Sequence, residues 1–231
     1  ILDVKVGEGA FMKNIDEART LAKAMVEIGR AYDRNMVAIL SNMDEPLGNM
    51  VGNSIEVIEA IETLKGRGPK SFRDFCFDLV SELLVETNIV KDKEEALNLV
   101  RSKIDSGEAL DKLRQMIIYQ HGDPRVIDDY SLFPQCKEKV AVISEYDGYV
   151  KKLDALEIGL SAMMLGAGRE NKDDVVDLSV GVEVVKKVGD FVNKGEPLAY
   201  LYCNDKNKNQ AYSRVLNSYE IVKEKVEKNP I

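Results

Sequence analysis

The chain has 231 residues, 45% of them hydrophobic and 31% charged, with a formal net charge of −8 at pH 7. That is the balance of a globular protein in water, long enough for one large domain or two modest ones. The acidic excess argues against a nucleic-acid surface, and no apolar run is long enough to cross a bilayer. The cysteines, Cys76, Cys136 and Cys203, are odd in number and far apart, with no Cys-x-x-Cys pair. They read as free thiols in a reducing compartment, hence the cytoplasm, rather than as a zinc site or a disulfide frame. The one histidine, His121, follows a helical pattern and reads as a helix-terminal residue, not a catalyst.

In chain order, Ile1 to Val6 reads as a buried strand, followed by the glycine-rich turn Gly7 to Met12. A chain that begins inside a strand, with no initiator methionine, leads us to expect that the amino-terminal part of a longer protein is missing. Asn14 and Glu17 have capping-box spacing ahead of the stripe Ala18, Leu21, Ala22, Met25 and Val26. The apolar run Val37 to Leu40 predicts a second strand, and strand, helix, strand is a βαβ unit with a parallel pair. A polar loop with Asp44, Glu45, Pro46 and Gly48 then leads to a helix near Asn53, which has Glu56 three residues on. Val57, Ala60, Ile61 and Leu64 share one face of that helix; Glu56, Glu59 and Thr63 share another. Asp44, Glu45 and Glu59 could hold a cation or be a solvated loop and an exposed acidic face. Lys5 and Arg169 read as cleft-lining or as ordinary solvated charges.

Gly66 to Pro69 breaks the pattern, and three helices are predicted to follow, capped by Ser71, Asp92 and Ser106. Their apolar stripes predict core packing. Residues 123–136 read as a linker. Beyond it, strands are expected at Val140–Ile143, at Gly148–Val150, within the valine-rich stretch 175–188 and on both sides of the 189–196 turn. Helices are expected at 155–165 and 212–226. The predicted organisation is an α/β domain at 1–122, the linker at 123–136, and an α+β domain at 137–231.

Several signatures occur in one order: Leu2-Asp-Val-Lys-Val-Gly-Glu-Gly-Ala-Phe-Met12, Asp44-Glu-Pro-Leu-Gly48, Leu165-Gly-Ala-Gly-Arg169, Asp177-Leu-Ser-Val-Gly181 and Lys194-Gly-Glu-Pro-Leu198. Together they resemble the bacterial pyrimidine-nucleoside phosphorylases, and less closely the thymidine phosphorylases, over essentially the whole chain. The resemblance implies reversible phosphorolysis of uridine- or thymidine-type nucleosides to free base and pentose 1-phosphate, in nucleoside salvage, by a homodimer. It implies a carboxyl-terminal domain of hammerhead type. It implies phosphate as co-substrate and a bound potassium ion, with Leu47 and Met50 offering backbone carbonyls and Glu59 its carboxylate, the other ligands belonging to the phosphate loop, without which the site is only partly built. It places Phe11 at the border of the base pocket, with packing under the turn as the alternative. The family's phosphate loop and its basic base-binding groups precede the Asp-Val-Lys strand. None maps onto this chain, so no catalytic residue is assigned and the chain is expected to be inactive without its amino-terminal part. The stretch Val188 to Leu198 is also similar to the turn of biotinyl and lipoyl carriers, which leaves a non-catalytic binding or assembly module as the alternative. Lys206 lacks the sequence context of a carrier lysine.

Overall fold

The computed structural model describes residues 1–228. β1 (Leu2–Val6) and β2 (Ala38–Asn42) pair in parallel, with Leu2 opposite Ala38 and Val6 opposite Asn42. The crossover is α1 (Ile15–Ala31). Its buried residues, Ala18 and Ala22, are small, so the helix lies close on Val4 and its neighbours Leu2, Val6 and Leu40. Asn14 Oδ1 accepts from Glu17 N at 2.9 Å, as its spacing predicts.

The chain next leaves this pair. β3 (Met50–Gly52) adds antiparallel to β6 (Gly181–Val184), in a four-stranded sheet completed by β8 (Pro197–Cys203) and β4 (Glu138–Ile143). That sheet draws strands from both sides of the 123–136 segment. The approach of β3 to β6 depends on glycine: a Cβ on Gly181 would lie 2.5 Å from the Val51 carbonyl oxygen. A third sheet has the order β7 (Phe191–Val192), β5 (Gly148–Leu153), β9 (Tyr219–Val222). Helices α6 (Ala155–Ala162) and α7 (Lys208–Asn217) complete this half. The main core lies here, around Val142, Val150, Ile158, Leu165, Val182 and Leu201.

Helices α2 (Ser54–Leu64), α3 (Lys70–Glu86), α4 (Lys93–Asp105) and α5 (Glu108–Tyr119) occupy the middle of the chain. Asp92 caps α4 as predicted, accepting from Glu95 N at 2.9 Å. Three other starts differ from expectation. Asn53 makes no side-chain cap on α2; its amide donates to the Ala167 carbonyl at 2.7 Å, while Glu56 accepts from Gly52 N. α3 begins at Lys70 directly after Pro69, with no side-chain cap. α5 begins after Gly107, whose φ of +80° makes the turn, while Ser106 closes α4. The stripes expected to be core in α3 to α5 are only partly covered: Val80 and Leu83 are exposed and α5 buries no residue fully, while Val100 of α4 is buried. Between the helices lies a mostly apolar cleft of 530 Å³ lined by Leu64, Phe72, Cys76, Leu84 and Leu99.

In the carboxyl-terminal half, the predicted helix 155–165 holds to Ala162 and then widens into a π-turn over Met163–Ala167, where Gly166 has φ +115°. The valine-rich stretch yields one strand, because Asp177 turns the chain by accepting from Ser179 N at 2.9 Å. The helix expected over 212–226 is shorter and lies earlier. Tyr219–Val222 instead forms β9, held on β5, with the Tyr219 hydroxyl donating to the Leu198 carbonyl at 2.9 Å. Tertiary pairing here outweighs the helical spacing.

Candidate functional site

Two loops leave the carboxyl ends of β1 and β2, where open α/β sheets present ligands. They touch. Gly7 has φ +130°, and a Cβ there would lie 2.4 Å from Asp44 Oδ1. Glu8 N donates to that oxygen at 3.1 Å, and Gly9 N donates to the Met43 carbonyl at 2.9 Å. Phe11, at the tip of the first loop, is 99% exposed, so it does not pack under its turn. It stands on a cleft of 750 Å³ whose apolar wall includes Leu21, Met25, Met43 and Leu156. Lys5 is not a solvated strand-end charge. Its ammonium is 2.6 Å from the Asp3 carboxylate and 4.5 Å from the centroid of the Phe75 ring. Arg169 is exposed, as is His121, which ends α5 with φ +62°.

The second loop, from Met43 to Asn49, is pinned by two distant segments. Ala155 N, at the start of α6, donates to the Asp44 carbonyl at 2.9 Å. Val188 N donates to Glu45 Oε2 at 2.8 Å. Lys187 Nζ donates to the carbonyls of Pro46 at 2.6 Å and Leu47 at 2.8 Å. From the other side, Glu59 in α2 reaches back: Asn49 N donates to Oε1 at 2.8 Å and Met50 N to Oε2 at 3.4 Å. Gly48 makes room for this, since a Cβ there would sit 2.1 Å from Glu59 Oε2. The reading of Glu59 as part of an exposed acidic face is therefore corrected. It is 8% exposed, drawn inward by two backbone donors that have no other partner in the loop's turn.

The electrostatics follow from burial. Desolvation raises the Glu59 carboxyl above the usual range, opposed by the amides of Asn49 and Met50 and by the Lys187 charge. Glu45 is raised in the same way, against its bond from Val188 N. Burial lowers the Lys187 amine, and Glu45 and Glu59 pull it back up.

Lys187 was not singled out by the sequence reading. Alternation points to the wrong residue, because 184, 186 and 188 share one phase and the buried Val184 and Val188 would turn Lys186 inward. The strand ends at Val184, and Val185 N and Lys186 N both donate to the Leu198 carbonyl, which breaks the phase and frees Lys187 to reach the loop. Lys186 takes the outer side and pairs with Glu196 at 3.2 Å.

Among the described residues no group of three or more His, Cys, Asp or Glu side chains is placed to hold a metal ion. The loop offers a different donor set, backbone carbonyls beside one buried carboxylate, and a single positive charge already sits on it as the Lys187 ammonium. Carbonyl oxygens beside one carboxylate are the kind of donors a monovalent cation takes. Like unit charges about 4 Å apart repel by about 4 kcal/mol at an effective dielectric of 20, which weighs against a second cation beside the ammonium.

Comparison with known proteins identifies the family of the chain. A model of the glycosyl transferase family a/b domain matches residues 1–110, and one of the pyrimidine nucleoside phosphorylase C-terminal domain matches residues 149–222. The chain is similar to curated pyrimidine-nucleoside phosphorylases. It is 42% identical over 221 residues to that of Staphylococcus epidermidis, covering 96% of this chain and 51% of the relative. It is 42% identical over 224 residues to that of Bacillus subtilis, covering 97% and 52%. It is 44% identical over 204 residues to that of Geobacillus stearothermophilus, covering 88% and 47%. The chain thus spans about half the length of the curated relatives it matches. With both family models matched in order along it, the chain belongs to the pyrimidine-nucleoside phosphorylase family, to whose carboxyl-terminal portion it corresponds.

Proposed function

We propose that this chain serves the reversible phosphorolysis of pyrimidine nucleosides, in which phosphate displaces uracil or thymine and leaves a pentose 1-phosphate. The observation that carries this reading is the pair of interlocked loops at the ends of β1 and β2, with Phe11 free on the cleft beside them. Phosphorolysis passes through an oxocarbenium-like state, so catalysis is mostly positioning and charge. In this chain, Phe11 offers a flat apolar surface to a base. The Met43–Asn49 loop, anchored by Glu59, would form a fixed wall for a phosphate site completed by the family's phosphate loop.

In the same reading Leu47, Met50 and Glu59 take a potassium ion, which would offset anionic charge beside the phosphate. The carboxyl-terminal half has hammerhead architecture, and the enzyme acts as a homodimer in the cytoplasm. Cys203, buried and free, suits a reducing compartment. No helix among the described residues is long and apolar enough to cross a membrane.

The family's phosphate loop and basic base-binding groups have no counterpart in the 231 residues, so we expect no turnover by this chain alone. The test is release of uracil from uridine with phosphate and potassium, by the chain alone and by the chain joined to the amino-terminal portion of the Bacillus subtilis relative. Release only by the joined protein is expected. Turnover by the chain alone would place the catalytic groups within it, and an inactive but folded joined protein would overturn phosphorolysis.

A further inference from the structure

We propose that Lys187 is a built-in competitor for the monovalent cation at this loop: its ammonium rests on the Leu47 carbonyl and must leave before a free ion can bind there. The inference rests on the cation role of Leu47, Met50 and Glu59 and deepens it. Lys187 Nζ lies 2.6 Å from the Pro46 carbonyl oxygen and 2.8 Å from that of Leu47. Both acceptors are backbone atoms, so no side chain other than the lysine decides who occupies them. An ammonium group and a potassium ion each carry one charge, and each is satisfied by carbonyl oxygens.

The surroundings favour exchange over joint occupancy. The charges facing Lys187 are the carboxylates of Glu45, Glu59 and Asp190 and the ammonium of Lys228. Lys228 is already committed to Asp190 at 2.7 Å. With Lys187 seated, three carboxylates face two ammonium groups. With its side chain withdrawn or replaced, the negative excess rises from one charge to two, which one added cation brings back to one. The loop itself does not need to move for this. Glu59 holds Asn49 and Met50 from the α2 side, and Val188 N holds Glu45 from the opposite side. The lysine is therefore the movable part, a four-carbon tether on an anchored backbone. A ligand can displace it only by binding the vacated carbonyls better than the ammonium does.

Two measurements test this, neither of which uses turnover, so an inactive chain leaves the outcome unaffected. In the first, potassium chloride is titrated against choline chloride at constant ionic strength. The melting temperature is followed for the full chain and for Lys187→Gln and Lys187→Met. The expected result is selective stabilisation by potassium, with the half-effect concentration lowered about tenfold or more in both variants. An unchanged or higher half-effect concentration in the variants overturns the proposal, as does the absence of a potassium effect on every protein. In the second, made on the unaltered chain in case the variants fold poorly, acetylation of Lys187 is followed by peptide mass spectrometry. Potassium is expected to speed labelling at Lys187 relative to choline, while Lys186 stays constant. Labelling at Lys187 that is indifferent to potassium overturns the exchange.

Discussion

Glu62 shows what a single side chain does when its partners come from two elements. Arg67 grips it in a fork, Nε to Oε2 at 2.7 Å and Nη2 to Oε1 at 2.9 Å, and the Tyr130 hydroxyl donates to Oε1 as well. The Arg67 bond, first among these, holds the carboxyl down at about 2, while burial and the neighbouring Glu62 push Tyr130 up to about 12. A depressed carboxyl stabilises the fold fully above its ordinary value of 4.5, and that contribution is lost as pH falls toward about 2. Glu62→Gln should lower stability by about 0.5–1 kcal/mol at neutral pH and flatten the acid limb between those values. Urea midpoints at several pH values check this; identical acid limbs in the two proteins would refute it. The Glu62–Arg67 half of the network was within reach of the sequence, five residues apart. Tyr130, 68 residues away, was not.

Helix starts separate what is local from what is not. Asp92 and Asn14 cap the helices that follow them because donor and acceptor lie three residues apart, whatever the rest of the chain does. Asn53 has the same spacing to Glu56 but spends its amide on Ala167, 114 residues later. Asp92→Ala should therefore cost about 1 kcal/mol, with faster hydrogen exchange confined to the first turn of α4. Protection lost across the whole helix bundle would show that Asp92 does more than cap. The carboxyl-terminal segment makes the same point in reverse. Tyr219 to Val222 carried a helical spacing, yet a free edge of β5 lay within reach and claimed it.

At the scale of the molecule, the pairing of β3 with β6 joins the halves, alongside the contacts of the Met43–Asn49 loop with Ala155, Lys187 and Val188. The pairing depends on Gly52 facing Gly181. In Gly181→Ala the new methyl would meet the Val51 carbonyl oxygen at 2.5 Å and Ile55 Cδ1 at 2.6 Å, and backbone there cannot yield cheaply. A cost of about 1–3 kcal/mol is expected, with exchange rising at residues 50–52. Gly159 in α6 is the control: nothing lies within 4 Å of a Cβ there. Gly159→Ala should stabilise by about 0.5–1 kcal/mol. Thermal melts of the two variants decide it, and equal effects would mean that β3 is not tightly held.

The sequence by itself determined the parallel βαβ opening, the positions of the middle helices and the family, because periodicity, caps and ordered motifs are written within a few residues of one another. The tertiary structure alone decided that β3 crosses to the sheet of residues 138–203, that Glu59 turns inward while Glu56 stays out, and that Lys187 reaches the Leu47 carbonyl. Each of these rests on groups that must find a hydrogen-bond partner once buried. The partner is whichever group the fold brings near: ten residues away for Glu59 and Asn49, 140 for Lys187 and Leu47.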